Sequence, residues 1–320
     1  MGKIRDLEIR IREYINHYRQ THVLVQNLVK WHILCSSLDV VGDTELALGT
    51  YRALKEEKDD GFNYLAVYGV LQVLYVQQDA VRHIFESLDV SLKLVNPAKF
   101  SDIRYVREIR NKATGHPTKL DKNRPVSSHY ISRISLSLSG FTLMSAEGAK
   151  TEFNEINIPE LLQKQEAAVT HALEIVVDVF GKRENEHKMK FKGKTVTSIF
   201  PGHLSYFFEK IFEGTISDNS GRWEWGRVHV ESLIEVVGKL REAFVERAVL
   251  PASDVIERDL QGTEYALQKL KGYYDSAPDN NLNDKDAYIY TFYLRHQFEQ
   301  LKKLASEVDQ EFQTGEGAAT

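Results

Sequence analysis

The sequence predicts a mainly α-helical protein, a helical bundle carrying a small β insert and followed by a second helical domain. Three observations lead there. Apolar residues recur at three- and four-residue spacing through most of the chain. One stretch, about 125–158, switches to alternating Ser/Thr and β-branched residues. A basic, polar segment near residue 190 then interrupts the apolar periodicity.

Taken in order, Lys3–Leu38 reads as one long helix, with Ile4, Leu7, Ile11, Tyr14, Ile15, Val23, Leu24, Leu28, Trp31 and Leu34 on its apolar stripe. Asp43–Lys58 reads as a shorter amphipathic helix capped by Asp43 and ended by EEKDDG. Phe62–Leu88 is apolar nearly all round in its first half, which predicts a central helix, with Gly69 marking a close packing contact. Phe100–Thr114 gives a fourth helix with Ser101 as N-cap, stopped by Gly115 and Pro117. Two or three short strands follow, with Ser139-Gly140 as a hairpin turn. Pro159 then opens a helix over Glu160–Phe180.

These elements make a first domain over 1–185, its β-rich insert at about 125–158. A linker at 186–198 follows, then an acidic helical domain over 199–313 and a disordered tail at 314–320. In the second domain four helices are expected, at His203–Glu213, Val228–Ala248, Ala252–Tyr274 and Asp284–Gln313, with NSGRWEWG as a connecting loop.

Composition narrows the function classes. With 42% hydrophobic and 27% charged residues the chain is globular. No apolar run of about 18 residues occurs, the N-terminus lacks a signal-peptide core, and Asp6 stands where a myristoylation motif wants Ser or Thr. A cytoplasmic protein without a membrane partner is expected. Cys35 is the lone cysteine, on an apolar helical pattern, and reads as a packed thiol. The histidines lack metal-ligand spacing and no phosphate-cradling glycine loop is present, so no metal and no cofactor are expected.

Net charge is −5, unevenly divided: residues 196–320 hold 13 basic and 21 acidic side chains, leaving 28 against 25 for residues 1–195. Within Lys99–Arg124 eight basic residues face three acidic ones, which marks a phosphate-attracting segment. That segment contains IRNKATGHP. An Arg followed at short spacing by His is unspecific, and Arg10, Arg12, Arg124 and Arg222 each reach a histidine in the same way. Asn directly after the Arg, at the end of a predicted helix, sets Arg110, Asn111 and His116 apart.

This stretch resembles the HEPN superfamily, whose members carry Arg, a polar residue and then His at a helix end in a helical bundle. The resemblance covers about residues 1–185, and the strand-like insert departs from the plainest members. It implies metal-independent cleavage of RNA by a dimer that brings two motifs together. The residue chemistry suits this: an RNA 2′-hydroxyl attacking its own phosphate needs proton transfer near neutral pH, which His116 provides. It also needs positive charge on the phosphorane, which Arg110 provides. Asn111 orients. Arg107, Lys112 and Lys119 are expected phosphate contacts, and Asp79, with Gln77 and Gln78, is a candidate to orient Arg110. One such histidine per chain argues for a homodimer.

The expected role is a toxin or antiphage abortive-infection effector, held by an inhibitor or released by a trigger protein. Thr118 stands where HEPN toxins paired with nucleotidyltransferase antitoxins often place Tyr, which speaks against tyrosine adenylylation. The alternative is a non-catalytic HEPN-like module for binding or dimerisation, because the same residues also make good helix C-terminal chemistry.

Overall fold

The structure is a computed structural model that describes residues 2–56, 59–115, 127–147, 149–216, 220–250, 252–276 and 282–313. The chain divides into two compact units, Met1–Gly181 and Lys182–Thr320. Both are mainly helical, and the first also holds a three-stranded antiparallel sheet.

In the first unit, the opening segment is three helices where one was expected: α1 (Lys3–Asn16), α2 (Tyr18–Leu24) and α3 (Leu28–Ala53). His17 is extended, with φ −63° and ψ 131°, which ends α1. Asn27 restarts the chain as an N-cap, its side chain accepting from Lys30 N. Val23 and Leu28, expected on the apolar stripe, lie exposed around this break. A second correction concerns Asp43. It caps nothing, because α3 runs unbroken from Leu28 to Ala53. Gly42 inside that helix leaves space that the Arg5 guanidinium fills beside buried Glu8, so packing outweighs the helix-breaking tendency of glycine.

The helix α4 (Asp60–Ser87) is capped by Asp59 and lies against α3, as its apolar content predicts. Gly69 is a correction: it is exposed, and a Cβ there meets nothing within 4 Å. Next comes α5 (Pro97–Arg110), which starts earlier than expected because Asn96, accepting from Ala98 N, is the cap in place of Ser101, and proline is well tolerated in a first turn.

Strands β1 (Ser127–Ile131), β2 (Gly140–Glu147) and β3 (Lys150–Asn157) pair in sequence order. Ser139-Gly140 belongs to a tight turn over Ser137–Gly140 that leads into β2 and does not join two strands as a hairpin. Gly140 is required there, since a Cβ would collide with the Ile156 carbonyl. Helix α6 (Ile158–Met189) is longer than expected and continues past the boundary between the units.

Two apolar clusters fill the first unit. One joins α1, α3, α4 and α6 through Ile11, Leu38, Ile84, Phe85 and Leu173; the other joins α4, α5, the sheet and the start of α6 through Leu71, Leu74, Val106, Phe141 and Leu161. Through the layer between them runs a buried chain of amides. Gln165 Nε2 donates to Gln77 Oε1 and to Leu74 O, both at 3.0 Å, and Gln165 Oε1 accepts from Gln78 Nε2 at 2.8 Å. Gln77 Nε2 goes on to Glu45 at 2.8 Å.

In the second unit, α7 (Leu204–Thr215), α8 (Ser220–Glu246), α9 (Asp254–Tyr274) and α10 (Asp284–Gln313) enclose one apolar core around Phe208, Leu233, Phe244, Leu270 and Phe298. The expected linker 186–198 is not a free connector. Its first residues complete α6, and Val196 is fully buried, its N–H donating to Asp309 at 2.6 Å. NSGRWEWG is likewise no loop in its described part. From Ser220 it is about the first two turns of α8, where Trp223 packs on Tyr273 and Tyr274 and donates to Tyr274 O. The expected tail 314–320 lies outside the described residues.

Candidate functional site

Of the predicted site residues, Asp79, Arg107, Arg110 and Asn111 meet on the face where α5 packs against α4. The two helices pack antiparallel in register, so Arg107 lies opposite Gln78 and Asp79, and Arg110, one turn later, lies opposite Gln72. Tyr75 stands between these two levels. The guanidinium carbons of Arg107 and Arg110 lie 4.3 Å and 4.2 Å from the centroid of its ring, so one aromatic side chain holds both cations.

Arg110 is held from three directions. Its Nε and Nη2 both donate to Gln72 Oε1, at 3.2 and 2.7 Å, and its Nη1 donates to Asn111 Oδ1 at 3.0 Å. Asn111 therefore touches Arg110 directly. Asp79 pairs with Arg107, and no contact joins it to Arg110 among the described residues. The two arginines are three residues apart, and the antiparallel register decides which of them reaches Asp79. Arg107 also donates to Gln78 Oε1 at 3.3 Å, which ties it to the buried amide chain.

After Arg110 the backbone widens into one π-helical turn, Asn111–Gly115. Thr114 Oγ1 donates back to the Arg110 carbonyl at 3.0 Å, satisfying one of the acceptors a helix end exposes. Positive charge is favoured at this end by the helix dipole, and Lys112, paired with Glu108 at 2.7 Å, sits within it. His116 and Lys119 lie outside the described residues; the described turn ends at Gly115, directly before His116.

The structure adds participants that sequence reasoning passed over. Gln72 and Tyr75 are the clearest, and their signal was present: in YGVLQVLYVQQDAVRH, Gln72, Tyr75, Gln78 and Asp79 form a stripe at helical spacing on an otherwise apolar helix. A second is His129 on β1, which packs against the Asn111–Gly115 turn. Its Nδ1 is 2.8 Å from Ser145 Oγ and its Nε2 is 3.3 Å from Ser127 Oγ. Burial, and then the nearby charge of Lys112, push the imidazole below its ordinary pKa, so it is neutral and fixed.

Among the described residues no group of three or more His, Cys, Asp or Glu side chains is placed to hold a metal ion, and no helix is long and apolar enough to cross a membrane. Comparison with family models, with curated proteins and with solved structures finds no match.

Proposed function

We propose that the protein is a cytoplasmic, metal-independent endoribonuclease of the HEPN type, acting as a homodimer. The observation that carries this reading is the arrangement of Arg110: its guanidinium is fixed by Gln72, Tyr75 and Asn111 at a helix end, immediately before the turn that leads to His116. A pre-oriented guanidinium costs little reorganisation when charge develops on a phosphorane, which is where electrostatic catalysis gains most. Tyr75 withdraws none of that charge, and Gln72 is neutral, so the cation stays available for an anion. His116 acts as the proton carrier, and Arg107, Lys112 and Lys119 attract neighbouring phosphates.

The second copy covers the outward side of α4. Leu65 is 74% and Tyr68 42% exposed there, and a Cβ at exposed Gly69 would meet nothing within 4 Å, which leaves room for a partner helix. A two-fold dimer in which the two Arg110 side chains approach one axis would supply the separate acid and base that one motif lacks. A toxin or abortive-infection effector under an inhibitor or trigger protein is the role that fits such an activity.

A non-catalytic binding module is favoured by one specific feature: Arg110 Nε, Nη1 and Nη2 already have acceptors within the chain. One experiment separates the readings. Labelled single-stranded RNA is incubated with the protein in excess chelator, beside His116→Ala and Arg110→Ala variants shown by circular dichroism to be folded. The enzyme reading expects a loss of about 10²–10⁴-fold for His116→Ala and about 10²–10³-fold for Arg110→Ala. Equal cleavage by all three proteins, or none by any, sinks it.

A further inference from the structure

A cavity of about 260 Å³ opens beside Arg107, between α4, α5 and α6 of the first unit. Its walls are hydrocarbon: Val81 and Phe85 from α4, Phe100 and Ile103 from α5, Val95 from the connecting segment, and Ala172 on α6, whose small side chain leaves the depth. Phe100 is 44% exposed, so the cavity communicates with solvent. Three of its lining residues are arginines, Arg82, Arg104 and Arg107.

The polar inventory decides what fits. Gln78 is the one neutral polar side chain on the lining, and both ends of its amide are committed: Nε2 to Gln165 Oε1 and Ile103 O, Oε1 to Arg107. A nucleobase would therefore bring N–H donors for which the lining side chains hold no free acceptor, whereas a hydrocarbon chain brings none. The rim asks for an anion. Arg104 is exposed and makes no ion pair among the described residues, and the carboxylates nearest Arg82, those of Asp79 and Glu86, stand at 3.9 and 3.8 Å, beyond hydrogen-bond range. The planar fork of arginine matches a carboxylate.

We propose that this cavity binds an amphipathic monoanion, a medium-chain carboxylate whose hydrocarbon tail lies between Phe85, Phe100 and Ile103 and whose head is taken by Arg104 with Arg82. An apolar cavity of about 150 Å³ admits a six-carbon ring, so by proportion this one admits a body of roughly ten carbons. The site stands independently of any RNA cleavage by the same unit.

Isothermal titration of the full chain with hexanoate, octanoate, decanoate and tetradecanoate, each below its micellar concentration, tests it. Affinity rises about three- to fourfold per added methylene up to roughly ten carbons and then levels off. Decanol binds at least about tenfold more weakly than decanoate, and Arg104→Gln, a change at an exposed position, removes that difference while leaving decanol binding unchanged. Phe100→Ala weakens both ligands. Affinity independent of chain length, or still climbing at fourteen carbons as in unspecific surfactant uptake, overturns the proposal. So does decanol binding as tightly as decanoate, or adenosine monophosphate displacing decanoate with higher affinity than any carboxylate in the series.

Discussion

Replacing Gln165 by Leu tests the buried amide chain that supports the α4–α5 face. Gln165 is 1% exposed and makes three hydrogen bonds to Gln77, Gln78 and Leu74 O. Leucine conserves the volume, so no large cavity term enters. Gln78 Nε2 retains Ile103 O as an acceptor at 3.2 Å, but Gln77 Oε1 loses its Gln165 donor. One stranded buried acceptor costs about 1–3 kcal/mol, and the remaining lost bonds add about 1 kcal/mol, for a total of about 2–4 kcal/mol. Native-state amide exchange read by mass spectrometry resolves where this falls. The slowest amides of α4 and α6 should exchange about 30- to 1,000-fold faster, while those of α8 and α10 in the other unit keep their rates. Exchange in α4 and α6 changed by less than about threefold would refute the idea that the amide chain holds these helices together. Gln165→Glu gives a check of opposite sign in pH. A buried carboxyl there faces the Gln77 and Leu74 oxygens, so its folded pKa is raised; the variant is most stable below about pH 4.3 and loses stability as pH rises.

Two buried histidines predict the opposite slope for the natural protein. Burial lowers the pKa of His129 in the first unit and of His229 in the second, with Lys112 and Lys210 adding to it. The neutral form is the folded one, so stability present above about pH 6.5 is lost as pH falls through that value towards the folded pKa, a fall in melting temperature between pH 7 and pH 5. Among the described residues His229 has no hydrogen-bond partner on either nitrogen, and it packs among Tyr206, Phe207 and Trp225; His229→Phe should therefore stabilise the second unit and flatten its pH dependence. Gly226→Ala, which in an open helix gains about 1 kcal/mol, should instead cost about 1–3 kcal/mol in urea titration. The new Cβ meets buried Tyr274 at 2.6–2.7 Å. Leu65→Asp should leave the fold intact, since the side chain is exposed, and convert a dimer to monomer in sedimentation velocity; an unchanged species removes α4 as the dimer face.

Much of the architecture was legible in the amino-acid sequence because helix and strand periodicities are local properties. The stripe over 62–88, the alternation through β1–β3, and the helices α7, α9 and α10 all follow from side-chain spacing within a dozen residues. The clustering of Arg110 with Asn111 was legible too, being set by adjacency in one helix turn.

What lay beyond sequence reading was decided by partners distant in the chain. Gly42 and Asp43 carry the signs of a helix boundary, yet α3 continues through them because Arg5 and Glu8 of α1 occupy the space the glycine leaves. Trp223 looks like a loop residue until Tyr273 and Tyr274, fifty residues later, enclose it. Asp79 meets Arg107 and misses Arg110 for a similar reason. A helix repeats every 3.6 residues, so both arginines point towards α4, and only the register of two packed helices says which level each one meets. The sequence alone determined which residues carry charge, ring or amide on that face. Tertiary packing assigned their partners, because register is a property of two segments together and is encoded in neither one separately.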